Sequence, residues 1–457
     1  MSKKSIEPVE IPPIYFEVHL KILFYLGIDI LPIQNTSMRF IFYSYSIFII
    51  GLMCVFTITE FLDMVLNFED IYKMTFALCY FVTHILGTVK MFLMIALRKK
   101  LWNHLKTLEE GIFKPNIQRG GINEIDFVKD AIQLCKRQGY FFYTFVIVII
   151  GARTLYAALA NLPYDKHNYV EGNVTIVVNT KIMPYTTWMP FDYNDSPLYE
   201  LVFAFQIFST VVYGYYIGAT DAVICGFMML IKAQFLIVKR ELETLIERAQ
   251  QATKMESKLE TLINRAEQGA QLESNPESNT DIKSYSPEGI DRIQLLNERT
   301  QYFAEKNANE AVFHHQELIA LCDHAEEDFC YLMLLQFLSS LLIVCFQLFQ
   351  LSTLSPDSVE FFSMSMYLVL MLFQLLCYCW HGNEVQIVSG EVSSYVFNIN
   401  WIIMKESIKK SLILIMMRSQ RPCYFTAGKF SLLSLQTFMT IVRGAASYFM
   451  FLRQMNV

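Results

Sequence analysis

"AGKFSLLSLQTFMTIVRGAASYFMFLRQM", Ala427–Met455, is the stretch whose reading decides the fold. Phe430–Leu452 within it is apolar and aromatic, and a helix needs about 20 such residues to cross a bilayer core of about 30 Å. Yet the segment also carries Arg443, Tyr448, Arg453 and Gln454. That mixture is awkward for a helix wholly surrounded by lipid. It suits a helix with lipid or protein on one side and water on the other. Read as a span, the stretch is the seventh in the chain, and an odd number puts the two termini on opposite sides of the membrane.

The rest of the chain supports a membrane reading. Hydrophobic residues make up 54% of the 457 and charged residues only 18%, with a mean hydropathy of +0.33. A soluble fold of this composition would expose large apolar areas, which a bilayer accommodates. The net charge of −6 and the lack of a basic cluster with interleaved aromatics exclude nucleic acid as a partner. The opening "MSKKSIEPVEIPP" lacks the apolar core of a cleaved signal peptide, so the first long apolar stretch is expected to act as the insertion signal.

Seven stretches are long enough to span: Phe40–Leu62, Met74–Leu97, Tyr140–Leu162, Leu198–Ile231, Cys330–Leu351, Phe361–Trp380 and Phe430–Leu452. Helices are expected, because an open sheet would strand backbone polar groups in lipid. Lys3, Lys4, Lys21 and Arg39 precede span 1, nine Lys/Arg lie between Arg98 and Gly139, and six lie between His381 and Lys429. Only Lys166 and Lys181 lie between Pro163 and Pro197, and Ser352–Glu360 has none. The positive-inside rule therefore places the N-terminus in the cytoplasm and the C-terminus outside, the reverse of a G-protein-coupled receptor. The sequons at Asn173 and Asn194 fall in an outside loop and are candidate glycosylation sites, whereas that at Asn35 falls inside.

Beyond span 4, "IKAQFLIVKRELETLIERA" keeps helical periodicity, and "AVFHHQELIALCDHAEEDFC" resumes it before span 5. Between them a Pro-, Gly- and Ser-bearing polar insert around 266–290 reads as flexible. After span 6, an amphipathic stretch with Val385, Val388, Val392, Val396, Phe397 and Trp401 on its apolar side is too charged to span. The expected organisation is thus a cytoplasmic segment 1–39, spans 1–4 over 40–231, an extension 232–329, spans 5–6 over 330–380, an anchor helix and linker 381–429, and a last span 430–457. A cytoplasmic helical bundle fed by spans 4 to 7 is expected, supplying subunit contacts.

No enzyme signature is present: there is no GxSxG, HExxH or GxxxxGK[ST], and no cofactor or metal is expected. His314–His315, beside the acidic "DHAEED", read as a solvated helical face. The ten cysteines, with a CxC at Cys377 and Cys379, read as small buried hydrophobes. Charged or titratable groups inside spans carry more information. His84 lies near mid-membrane in span 2, Lys90 can snorkel, Asp221 calls for an interhelical ion pair, and Arg153 and Arg443 stand in spans 3 and 7.

The final stretch resembles the last span of insect odorant receptors. Ser447-Tyr448, five residues, then Gln454-Met455 is similar to the superfamily's Thr-Tyr, five residues, Gln-Phe signature, with Ser for Thr, Met for Phe and an unusual Arg453. "YCWHGNEVQIVSGEVSSYVFNINW" (Tyr378–Trp401) is similar to the family's segment after span 6, and "FAFQI" (Phe203–Ile207) to its span 4. The resemblance implies an odorant-gated, non-selective cation channel in the plasma membrane of olfactory neuron dendrites. It implies a tetramer of tuning subunits with a shared co-receptor, anchored by the cytoplasmic bundle. "GNEV" looks like a tuning subunit, while the long insert before span 5 is more like the co-receptor's loop, leaving a homo-tetramer open. A gustatory channel of the same superfamily and a metabotropic seven-helix receptor are the alternatives.

The resemblance also implies where to look for the ligand, a small volatile organic. The outer halves of spans 2, 3, 4 and 6 hold Tyr80, Phe81, His84 and Ile85, then Gly151, Thr154 and Leu155, then Phe205, Ser209 and Thr210, and Met364 and Tyr367. The pore and gate fall to span 7, with Phe451 and Met455 as a hydrophobic ring and Tyr448 and Gln454 beside them. Arg453 is expected to point away from the pore axis.

Overall fold

In the computed structural model the described residues are 14–30, 33, 35–69, 71–160, 167–171, 174–178, 181–274, 289–399, 401 and 404–455. Among them the chain is almost wholly helical. A short α1 (Glu17–Tyr25) precedes span 1, α2 (Thr36–Leu66), and span 2, α3 (Ile71–Glu109). A one-turn α4 (Ile117–Gly120) leads into span 3, α5 (Ile122–Ala160). Span 4 is α6 (Leu198–Glu243), followed by α7 (Leu245–Ser274). Spans 5 and 6 are α8 (Gly289–Thr353) and α9 (Val359–Asn398), then come α10 (Glu406–Ser419) and span 7, α11 (Leu435–Met455). Two antiparallel hairpins, β1 (His167–Glu171) with β2 (Val174–Val178) and β3 (Thr426–Ala427) with β4 (Ser431–Leu432), interrupt the helices. Periodicity gave no sign of them.

Six helices are long and apolar enough to cross a membrane among the described residues, and α11 is the seventh span. Its 21 residues rise about 31 Å, enough to cross. It begins at Leu435, not Phe430, because the β3–β4 hairpin occupies 426–432, turning through Gly428 and Lys429 at φ 65° and 69°. The extensions past the membrane are long. α6 runs 46 residues, α8 runs 65, and α9 continues unbroken from span 6 to Asn398. The middle of the expected insert, residues 275–288, lies outside the described residues.

Span 4 is the axis of the bundle, with 83% of its membrane window buried. Glycines four apart make that possible. A Cβ on Gly214 would stand 2.4 Å from Val146, and one on Gly218 2.5 Å from Phe142, so α5 packs directly on the α6 backbone.

Polar contacts tie the membrane helices together. Lys90 is fully buried and its Nζ lies 2.5 Å from Asp221 Oδ1. Tyr378 donates to the same oxygen at 2.7 Å, and Gln374 donates to Oδ2. Lys90 therefore does not snorkel. Its counter-charge lies within reach on span 4, and the pair joins spans 2, 4 and 6.

On the cytoplasmic side, as loop charge assigns it, the amphipathic face of α9 packs inward, with Val385, Val388, Val392 and Val396 buried, while Phe397 and Trp401 stay exposed. Lys232 meets Glu384 at 2.5 Å and Lys239 meets Glu391 at 2.7 Å, joining α6 to α9. His314 and His315 are buried, which corrects the expectation of a solvated face. His314 Nδ1 is 2.7 Å from Glu241, and that carboxylate is 2.9 Å from Arg119 Nε. Burial works against the Arg119 charge, but Glu124 and Glu241 outweigh it and hold its pKa above the ordinary value. A charge this enclosed needs such partners. Eight of the ten cysteines are buried.

Candidate ligand cavity

Spans 2, 3, 4 and 6 line a cavity between them, and concave, mostly apolar clefts between helices are where small molecules bind. Helical spacing explains who faces it. From α3 come Tyr80, Thr83 and His84, three and four apart, on one face. From α5 come Phe142, Val146, Ile149 and Ile150, and from α6 Thr210, Tyr213, Gly214 and Ile217. α9 adds Tyr367, Leu370, Met371 and Gln374. Most of the wall is apolar and aromatic, suited to ligands held by dispersion and shape.

The outer loop adds a wall. Tyr185 lines the cavity and is 2% exposed. Its N–H donates to Gln206 Oε1 at 3.1 Å, while Gln206 Nε2 donates to Tyr185 O at 2.9 Å and to Thr187 Oγ1 at 2.7 Å. Arg153 Nη2 donates to Pro184 O at 2.9 Å, so this intraspan arginine holds the loop down. Tyr80 stacks on Tyr367 at 5.3 Å and meets Tyr185 edge-on at 5.2 Å. At the inner end, Gln374 and Phe142 separate the cavity from a smaller one that reaches Asp221.

Of the residues named from sequence, Tyr80, His84, Thr210 and Tyr367 line this cavity. Met364 is buried just behind, its sulfur 3.6 Å from the Tyr80 hydroxyl. Ser209 is buried next to Thr210, and Phe205 packs edge-on against Phe56 at 5.7 Å. The remainder face elsewhere. Phe81 packs on Phe61, Ile85 is 41% and Leu155 58% exposed, Gly151 is exposed, and half-buried Thr154 donates back to Ile150 O. One residue is about 100° around a helix, so Phe81 and Ile85 turn away where Tyr80 and His84 turn in.

Sequence reasoning passed over the rest of the lining, among it Phe142, Val146, Ile149 and Ile150 on span 3, with Tyr213, Gln374 and the loop Tyr185. Glu60 was missed as well: it is 3% exposed on α2, with both oxygens within 2.9 Å of His84 Nδ1. A carboxylate inside an apolar stretch was the available signal. Asn194 is half-buried, with its amide donating to Asp192 at 2.8 Å, and Asn173 lies outside the described residues.

α11 stands apart from this cavity. Ala445 and Phe449 pack on Val344 and Cys345 of α8, leaving the opposite face open. That open face carries Gln436, Thr440, Arg443 and Ser447 in steps of three and four and, further out, Gln454, with Phe451 at its edge and the exposed Tyr448 and Arg453 on its two flanks. The Met455 side chain lies outside the described residues. A polar stripe on a membrane helix calls for water or another subunit beside it.

Comparison with known proteins bears on both sites. The family model described as "7tm Odorant receptor" matches residues 70–446. Odorant receptor 10 of Aedes albopictus is 28% identical over 36% of this chain and 47% of its own length, so the matched part is about half of that relative. Odorant receptor 82a of Drosophila melanogaster is 23% identical over 83% of this chain and 84% of its own. Among solved structures, the insect olfactory receptor OR5 from Machilis hrabei, in complex with eugenol, superposes with a TM-score of 0.71. That superposition covers 96% of this chain and 98% of the other at 14% identity, a likeness of fold.

Proposed function

The chain belongs to the odorant receptor family of seven-span membrane proteins, and we propose that it is a subunit of a ligand-gated, non-selective cation channel that binds a small volatile organic compound. The observation that carries this is the mostly apolar, aromatic cavity among spans 2, 3, 4 and 6. A receptor of related fold binds eugenol, a small aromatic volatile, and the apolar, aromatic wall of this cavity suits a molecule of that class. Tyr80, His84, Thr210 and Tyr367 contact the ligand, with Met364, Ser209 and Phe205 supporting the wall.

The open polar face of α11 supports its role as the pore helix, several copies enclosing water between them. Phe451 and Met455 form a hydrophobic ring that blocks ions by dewetting, with Tyr448 and Gln454 at its edge. Ligand binding opens it only if the open state binds ligand more tightly. The exposed Phe397 and Trp401 on the cytoplasmic bundle offer a contact to a co-receptor or to further copies of this chain. The complex sits in the plasma membrane of olfactory sensory dendrites, with Asn173 and Asn194 as outside glycosylation sites.

Whole-cell recording with and without a co-receptor, against a panel of volatile, sugar and bitter compounds, tests this reading. Volatile-evoked cation current that needs no G protein is expected. Responses confined to tastants, or abolished by blocking G-protein signalling, would replace it with the gustatory or metabotropic reading.

A further inference from the structure

We propose that the His84–Glu60 pair forms a hydrogen-bond donor site in the cavity wall, and that it selects ligands bearing an oxygen acceptor, a ketone or ester above all, over hydrocarbons of equal size. The inference rests on the cavity being an odorant chamber and narrows the class of ligand it takes.

Geometry and charge balance carry it together. Both residues are 3% exposed, Glu60 on α2 and His84 on α3. His84 Nδ1 lies 2.9 and 2.8 Å from the two carboxylate oxygens. Among the described residues no lysine or arginine forms an ion pair with Glu60, and Asp63 one turn on adds negative charge nearby. A net-negative pair would be an unbalanced charge in a low-dielectric wall, so desolvation favours the neutral pair, which holds two protons. Those protons have two arrangements. In one, imidazolium faces carboxylate. In the other, a neutral imidazole accepts from a carboxylic acid. Both put one proton between Nδ1 and Glu60 and the other on Nε2. The conclusion is therefore independent of which arrangement holds.

Nε2–H has no partner among the described residues, although His84 lines the cavity. The ring is fixed by Tyr213 at 4.7 Å and Phe56 at 5.3 Å between centroids. Other polar groups on the wall are already engaged. Tyr213 donates to Met53 O at 2.9 Å, Tyr367 to Cys79 O at 3.2 Å, and Thr210 to Gln206 O at 2.8 Å. The Tyr80 hydroxyl rests on Met364 sulfur and the Gln374 amide nitrogen on Asp221. Gln374 Oε1 is unpartnered, but it accepts and so gives no answer to a carbonyl. His84 supplies the donor that a carbonyl oxygen would otherwise lack after leaving water.

The test compares n-octane, 2-octanone and methyl heptanoate on wild type and on the double variant His84→Phe/Glu60→Leu, which leaves no buried group unpaired. Evoked current and ligand-induced thermal stabilisation of purified protein are both read. In wild type, 2-octanone and methyl heptanoate should act at concentrations about tenfold below n-octane, and the double variant should erase that gap. Currents of equal sensitivity to all three in wild type overturn the inference while leaving the odorant-channel reading intact, and this arm holds even where the variant fails to reach the surface. A preference that survives in the variant also overturns it. Neither current nor stabilisation with any of the three or a wider volatile panel removes the underlying reading, and the inference with it.

Discussion

Asp221→Asn is the perturbation whose cost follows most directly from the bundle. The substitution keeps the shape of the side chain and removes the counter-charge of Lys90, which is fully buried with its Nζ 2.5 Å away. Lys90 is then left without its counter-charge in the protein interior, over the ring of Tyr378. Breaking such a pair costs about 3–5 kcal/mol, whereas replacing both members with apolar groups of similar volume is often neutral. Unfolding entropy of about 2.1 cal/mol/K per residue over 457 residues converts 4 kcal/mol into a fall in Tm of about 4 °C. Incomplete unfolding in detergent lowers that entropy and enlarges the shift. The assay is thermal stability of detergent-solubilised, fluorescently tagged protein by size exclusion. The single variant should melt lower by at least that amount, and Lys90→Met/Asp221→Leu should recover most of the loss. A single variant as stable as wild type, or a double variant no better than the single, would refute the assignment of Lys90–Asp221 as a charge-neutralising link between spans 2 and 4.

Other consequences follow from particular contacts. Gly218→Ala places a Cβ 2.5 Å from Phe142 and should destabilise by about 1–3 kcal/mol, while Gly151→Ala meets nothing within 4 Å and should not, both read as melting shifts. Burial, with Arg418 and His314 adding to it, pushes His315 down to about 4. The unfolded chain therefore takes up this proton first. Stability is fully present above about pH 6.5 and falls by up to about 3 kcal/mol towards pH 4, a slope that His315→Gln should flatten in melting curves across that range. Phe451→Ala should raise basal current or change ion selectivity in cells with normal surface expression; unchanged currents would remove it from the gate.

Much of the architecture was legible because a bilayer restricts the options. Length, apolarity and loop charge place seven helices and their orientation, and the valine face of α9 announced its packing. Register within a helix was harder to read. Ile85 and Leu155 are apolar and correctly deep, yet a rotation of about 100° separates lipid from ligand and neither composition nor depth encodes it. Tyr185 reaches the cavity from a loop through contacts with Gln206 and Arg153, which are long-range pairings without a local sequence sign. His314 and His315 misled for the same reason: charged neighbours suggested solvent, while Glu241 and Phe235 of α6 and Ser419 of α10 enclose them.

The central claim is that the ligand sits among spans 2, 3, 4 and 6, and one pair of substitutions on span 3 tests it. Ile149→Trp projects into the cavity, whereas Leu155→Trp adds the same bulk to the exposed side of the helix, where Leu155 is 58% exposed. With surface expression matched, concentration–response curves for an activating volatile should shift at least about tenfold for Ile149→Trp and stay at wild type for Leu155→Trp. An unshifted Ile149→Trp, or a larger effect at Leu155, would contradict the account.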